Sequence, residues 1–204
     1  HIAITRPILG LLDYDELRAV LGHEMGHIKH NDMAITAAVS VIPMICYYLA
    51  LSFFFSGDRD NGATIIIGIL GYVFYLIGQL LVLLISRTRE YYADEASVEY
   101  GNRPAALVSA LYKLSYGASK CSSETIEQVS TNRAFFATDV NNAQHDVTDF
   151  QQIDFDGDGK ISDEELRKLA NSELKISKAK GVMELFSTHP DSLKRVKRLA
   201  ELEN

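Results

Sequence analysis

Two long stretches of this chain hold no charged residue and no histidine: residues 34–55 (AITAAVSVIPMICYYLALSFFF) and residues 64–86 (TIIIGILGYVFYLIGQLLVLLIS). Each is long enough to cross about 30 Å of hydrocarbon as a helix. A core helix of a soluble protein normally keeps a polar stripe, and neither run has one. The turn-rich SGDRDNG between them is short enough to join antiparallel helices, so a transmembrane hairpin is expected. Pro43 is tolerated in a span that can re-satisfy the freed carbonyl, and Gln79 suits a contact with a neighbouring helix.

The flanks give the orientation. Lys29 precedes the first run and Arg87 and Arg89 follow the second, whereas the joining loop has Arg59 between Asp58 and Asp60. Counting Lys and Arg places both outer ends on the cytoplasmic side of a cell membrane, with the bilayer as a partner.

Directly before the first apolar run stands GHEMGHIKHND. Residues 13–30 carry Leu17, Val20, Leu21 and Ile28 at helical spacing, with Asp13 or Asp15 available as the N-cap. On such a helix His23 and His27 project from one face and can offer two imidazole nitrogens to one zinc ion. Glu24 lies one step round, where its carboxylate can take a proton from water rather than ligate the metal.

His-Glu-x-x-His also arises by chance on polar helix faces, so a third ligand decides the matter. His30 is seven residues past His23, but one helix wraps three ligands around a tetrahedral ion only with strain, and His30 suits a solvated or interfacial role better. After the second run comes SRTREYYADEAS, in which Glu90 and Asp94 share a helical face. Glu90 would complete a His2Glu site, and Asp94 would accept a hydrogen bond from the distal N–H of a zinc-bound imidazole. The plain alternative is a salt-bridged surface with Arg87 or Arg89 as partners.

HEMGH, two apolar runs, EYYADEAS and the late FSTHPDSLKRVKRL together resemble the HtpX-type membrane zinc metalloproteases, relatives of the CAAX prenyl proteases. The resemblance covers nearly the whole chain except its acidic segment. It implies a zinc endopeptidase that cuts membrane-associated or misfolded membrane proteins, its site held at the membrane surface by the hairpin. By the same resemblance, His23, His27 and Glu90 are the zinc ligands, Glu24 the general base and Asp94 their companion. His189, before Pro190, is implied to stabilise the reacting carbonyl oxygen, with Arg195 nearby. Relatives of this type carry further spans upstream, so this chain is expected to be part of a longer protein.

Charge is concentrated in one region. Residues 139–173 hold 10 acidic and 3 basic side chains, leaving 17 of each elsewhere. No basic patch suited to nucleic acid is present, and no GxxxxGK[ST] pattern that would cradle a nucleotide phosphate. Within the segment, DFDGDGKISDEE resembles an EF-hand calcium loop: Asp154, Asp156 and Asp158 at positions 1, 3 and 5, Gly159 at the sharp turn, the Lys160 carbonyl at position 7, Ser162 at position 9 and Glu165 at position 12. A calcium ion is therefore expected beside the zinc. An acidic solvated turn is the bland reading of the same residues.

Cys46 and Cys121 form no CxxC pair, so neither a disulfide framework nor a thiolate metal site is indicated. HIAIT at the start alternates as an edge strand would and suits strand addition by a substrate backbone. Leu193, Val196, Leu199 and Leu202 recur every third residue, predicting an amphipathic last helix with Lys194, Arg195, Lys197 and Arg198 on a solvated face.

The expected fold is mainly α, with an α+β zincin-like core divided by the hairpin. Its parts are an edge strand and active-site helix (1–33), the hairpin (34–86), a third-ligand helix with core helices (87–120), an acidic insert (121–180), and a His-Pro motif with the last helix (181–204). Two other functions fit the same residues: a CAAX-type processing protease, and a noncatalytic calcium-binding membrane adaptor with a structural zinc site. Glu24 separates them, because the adaptor needs no general base.

Overall fold

The computed structural model describes residues 2–55, 62–120, 143–170, 187 and 190–203, and among these the chain is helical with no strand. Residues 2–5, expected as an edge strand, are not in a strand, and no other strand is available among the described residues to pair with them. A short helix, α1 (Arg6–Leu11), follows with Pro7 in its first turn. Pro is tolerated there because the first amide hydrogens of a helix lack intrahelical partners.

Helix α2 (Tyr14–Lys29) starts at a capping box, in which the Asp13 side chain accepts from the Glu16 amide and the Glu16 side chain accepts from the Asp13 amide. Glu16 is buried and also accepts from Ser109 Oγ at 2.7 Å and Lys113 Nζ at 2.7 Å, so the entry to α2 is tied to a later helix. At the other end Asn31 adopts φ 53°, a left-handed conformation that Asn tolerates better than most residues. That turn launches α3 (Asp32–Phe55), the first apolar helix.

Helix α4 (Gly62–Glu99) has 38 residues, about 57 Å at 1.5 Å per residue. It is therefore long enough to span the hydrocarbon and continue for several turns beyond it. Both α3 and α4 are long and apolar enough to cross a membrane, and only 11% and 6% of their most apolar stretches are buried. Ile42, Ile66, Leu70 and Phe74 are all more than half exposed, a distribution that water does not favour and lipid does. The two helices pack through small residues: a Cβ at Gly78 would lie 2.9 Å from Pro43 Cβ, and one at Gly71 would lie 3.2 Å from Ala50 Cβ. Pro43 is buried in this contact, whereas Gln79, expected against a neighbouring helix, is exposed.

The same device brings α2 onto the far end of α4. A Cβ at Gly26 would meet Ala96 Cβ at 2.8 Å and Ala93 Cα at 3.0 Å, and Gly22 faces Ser97 and Asn102 as closely. Ser97 Oγ donates to the Ala19 carbonyl at 2.7 Å across this junction. Two glycines one turn apart thus let the α2 backbone lie almost against α4.

The remaining described elements are α5 (Pro104–Ser119), α6 (Ala143–Gln151), α7 (Asp163–Ala170) and α8 (Ser192–Leu202). Leu107, Val108 and Tyr112 of α5 share one buried cluster with Phe150, Ile153, Leu166, Val196 and Leu199. The described part of the acidic segment is therefore built into the common core through its apolar side chains. On α8 Leu193, Val196 and Leu199 are buried but Leu202 is exposed, because a three-residue interval drifts off one face of a 3.6-residue helix. Arg195, on the solvated basic face by helical pattern but near the site by resemblance, is 5% exposed and points inward.

Candidate metal centre

Helix α2 and the protruding end of α4 meet at three side chains. His23 Nε2 and His27 Nε2 are 3.2 Å apart, and each lies 3.7 Å from a Glu90 carboxylate oxygen. The four-residue spacing on α2 aligns the two rings, which sit edge to face with centroids 4.7 Å apart. Their ligand atoms and that of Glu90 form one of two such groups among the described residues able to hold a metal ion.

The other nitrogen of each ring faces a carboxylate. His23 Nδ1 is 2.9 Å from Asp94 Oδ1, and His27 Nδ1 is 2.6 Å from Asp32 Oδ2. A carboxylate can only accept, so each neutral ring carries its proton on Nδ1 and turns the Nε2 lone pair inward. Two lone pairs and a carboxylate thus converge at one point, a donor set that repels itself without a cation and matches the nitrogen and oxygen ligands of zinc. The residues fit the metal.

Each aspartate is in turn held by an arginine. Arg195 grips Asp94 with two hydrogen bonds, Nε to Oδ2 at 2.9 Å and Nη2 to Oδ1 at 2.7 Å, and its Nη1 lies 3.4 Å from Glu90. Burial acts to raise the Asp94 carboxyl, but the Arg195 charge and the His23 hydrogen bond hold it below the usual range. The converse holds for Arg195: burial opposes its charge, and Asp94 and Glu90 drive it upward. On the other side Arg89 closes on Asp32 through Nε and Nη2 and donates to the His30 carbonyl at 2.6 Å.

Of the arginines that the plain alternative offered to Glu90 and Asp94, Arg89 turns to another carboxylate. Arg89 reaches Asp32, and it is the distant Arg195 that pairs with both Glu90 and Asp94. Glu24 is half-buried beside His23 on α2. His30 stands apart from the three-residue group, its ring edge toward Tyr92 at 6.2 Å and its buried Nδ1 without a hydrogen-bond partner. His189 lies outside the described residues. Asp32 was not anticipated, because five residues past His27 it looks like the polar start of the apolar run.

The acidic loop supplies the second group. Asp154, Asp156 and Asp158 bring carboxylate oxygens within 4.8 Å of one another. Gly157 and Gly159 have φ of 72° and 78°, and their amides donate to Asp154. The Glu165 carboxylate is not in this group and accepts from the Phe155 amide at 2.8 Å and the Ser162 amide at 2.9 Å. Lys160 extends its amine to Asp13, the cap of α2, at 3.0 Å. Burial and the nearby Asp154 raise the Tyr112 phenol.

A family model described as peptidase family M48 matches residues 1–203. The chain belongs to peptidase family M48. Among its M48 relatives, a protein named protease HtpX homolog from Methanothermobacter thermautotrophicus is 58% identical over 114 residues, covering 56% of this chain and 43% of that protein. Another of the same name, from Thermoplasma volcanium, is 34% identical over 207 residues, covering 100% of this chain and 58% of that protein. A third, from Pyrobaculum aerophilum, is 32% identical and likewise covers 100% of this chain and 56% of the relative. The M48 chain thus spans about half the length of these curated relatives. No solved structure matches it.

Proposed function

We propose that this chain is the catalytic part of an integral membrane zinc endopeptidase that hydrolyses membrane-associated or misfolded membrane proteins. The observation that carries the reading is the convergence of His23, His27 and Glu90 from two helices otherwise far apart in sequence. Held by these three side chains, zinc would acidify a water molecule and polarise a peptide carbonyl. Glu24 takes the proton from the water and returns it to the leaving amine. Asp94, gripped by Arg195, keeps the His23 ring turned so that Nε2 faces the centre. His189 is assigned, on sequence alone, as a hydrogen-bond donor to the developing oxyanion.

In this reading the hairpin of α3 and α4 lies in the bilayer with the zinc site on the cytoplasmic side, supported by the length and apolarity of the two helices and by the Lys and Arg excess at their outer ends. The acidic loop takes calcium through Asp154, Asp156 and Asp158, the Lys160 carbonyl and Glu165. Supporting this are the three converging carboxylates and the two left-handed glycines that turn the loop.

The test is elemental analysis of detergent-purified protein stripped of loose metal, comparing wild type with Glu90→Ala. About one zinc per chain in the wild type, with a marked loss in Glu90→Ala, supports the site. Zinc retained unchanged in Glu90→Ala overturns it. Glu24→Gln should keep zinc and lose hydrolysis of a casein or unfolded membrane-protein substrate. Zinc bound by a wild type that hydrolyses neither substrate would favour the noncatalytic adaptor, and hydrolysis undiminished in Glu24→Gln would remove Glu24 as the base.

A further inference from the structure

We infer that Asp32, held by Arg89, is a positioning residue for His27, so that the two roots of the apolar hairpin form part of the metal site. The inference rests on the zinc reading of His23, His27 and Glu90. Asp32 is the first residue of α3, and Arg89 lies on α4 where that helix leaves its apolar run. Asp32 is 7% exposed, and its carboxylate touches His27 Nδ1 with one oxygen while Arg89 engages the other. Arg89 also donates to the His30 carbonyl at the C-cap of α2. One guanidinium therefore joins the end of the active-site helix, the start of α3 and the body of α4.

The arrangement repeats the Asp94–Arg195 pair on the opposite imidazole. In both, a buried aspartate fixes the Nδ1–H tautomer and an arginine fixes the aspartate. The origin of the two differs. Asp94 and Arg195 come from the end of α4 and from α8, whereas Asp32 and Arg89 lie just outside the apolar runs 34–55 and 64–86, at the two roots of the hairpin. A shift of α3 against α4 would move Asp32 relative to Arg89 and rotate His27. Zinc affinity is thereby coupled to how the hairpin is packed.

A purely structural ion pair is the rival account, since Asp32 also sits at a helix N-terminus where negative charge is favourable. Two measurements on the full chain in detergent separate them. Zinc affinity is read by competition with a chromophoric chelator for wild type, Asp32→Asn, Asp32→Ala, Glu90→Ala and the double variant Asp32→Asn/Arg89→Gln. Outer-shell partners of ligating histidines are worth about 10- to 100-fold in metal affinity, so Asp32→Asn should weaken zinc by about tenfold and Asp32→Ala by more. The double variant removes the stranded Arg89 charge and relieves the destabilisation of a broken pair. It should nevertheless stay as weak in zinc as Asp32→Asn. Recovery of wild-type affinity in the double variant would make the pair structural and overturn the inference. The second measurement is nitrogen NMR of histidine-labelled, metal-free protein at about pH 8, where free imidazole is neutral. His27 should be protonated at Nδ1 in the wild type and should gain the Nε2–H form in Asp32→Asn, the variant that retains side-chain size if Asp32→Ala does not fold. An unchanged tautomer there also overturns it. Zinc held equally by wild type and Glu90→Ala would instead bring down the underlying zinc site, and this inference with it.

Discussion

Asp13 shows how much one side chain contributes to placing the centre. It caps α2, and the Glu16 amide it accepts from is the main cause that holds its carboxyl below the usual range; desolvation opposes the shift, and Lys160 adds to it. A folded-state value below the unfolded one stabilises the fold above the ordinary carboxylate range, and the contribution is lost as pH falls through the folded value. Asp13→Ala should cost about 1 kcal/mol at neutral pH by loss of the cap, and the gap in melting temperature from wild type should narrow on acidification. The comparison is a pair of melting curves across acidic and neutral pH. Glu24 is a second case: Glu24→Gln should lower peptide hydrolysis by about 10²- to 10⁴-fold with zinc content unchanged, measured by turnover and elemental analysis on the same preparation. The grouping of His23, His27 and Glu90 is legible from spacing and resemblance because each motif is local. Asp32 is not, since nothing local distinguishes a buried acceptor from the polar cap of an apolar helix.

Helix α4 is the element on which the arrangement depends. Its apolar stretch packs on α3 through Gly71 and Gly78, and its protruding end packs on α2 through Ala93, Ala96 and Ser97. A continuous helix passes the orientation of one contact to the other. Gly26→Val would drive side-chain atoms into Ala93 and Ala96, where even a Cβ has 2.8 Å to the nearest heavy atom. Overpacking of this kind costs about 1–3 kcal/mol, and separating α2 from α4 draws His27 away from Glu90. Zinc affinity of Gly26→Val should fall along with its melting temperature. At Gly10, where a Cβ meets nothing within 4 Å, the same change should leave zinc affinity at the wild-type level. The sequence predicts the amphipathic stripe of α8, but its pattern of basic residues puts Arg195 on the solvated face while the resemblance puts it near the site. Its inward position follows from Asp94 and Glu90, which lie about a hundred residues earlier and offset the cost of burying a guanidinium.

On the scale of the whole molecule, the described part of the acidic segment and helix α2 share one body. Phe150 stacks on Tyr112 at 5.4 Å, Arg103 reaches Asp163 at 3.0 Å, and Lys160 crosses to Asp13, so the loop lies against the start of α2. Under the calcium reading, the ion binds the folded loop and not the unfolded chain. At calcium a hundredfold above its dissociation constant the stabilisation is then about 2.7 kcal/mol. The melting temperature in detergent should rise with calcium in the wild type and stay constant in Asp156→Ala, with magnesium as the control ion. A flat response in the wild type would leave the loop as an acidic turn.

Read alone, the sequence determined those features that depend on local pattern: the two uncharged runs, the His-Glu-x-x-His face, the E-x-x-x-D spacing and the family resemblance. These are legible because helical periodicity and side-chain chemistry act over a few residues. Only the tertiary structure decided that residues 2–5 form no strand, that Arg195 is buried, that Arg89 turns to Asp32, and that both imidazoles have an aspartate behind them. Each of these depends on which groups the packing of α2, α4 and α8 brings within hydrogen-bond reach. A buried charge takes the partner that geometry supplies, whatever its separation along the chain.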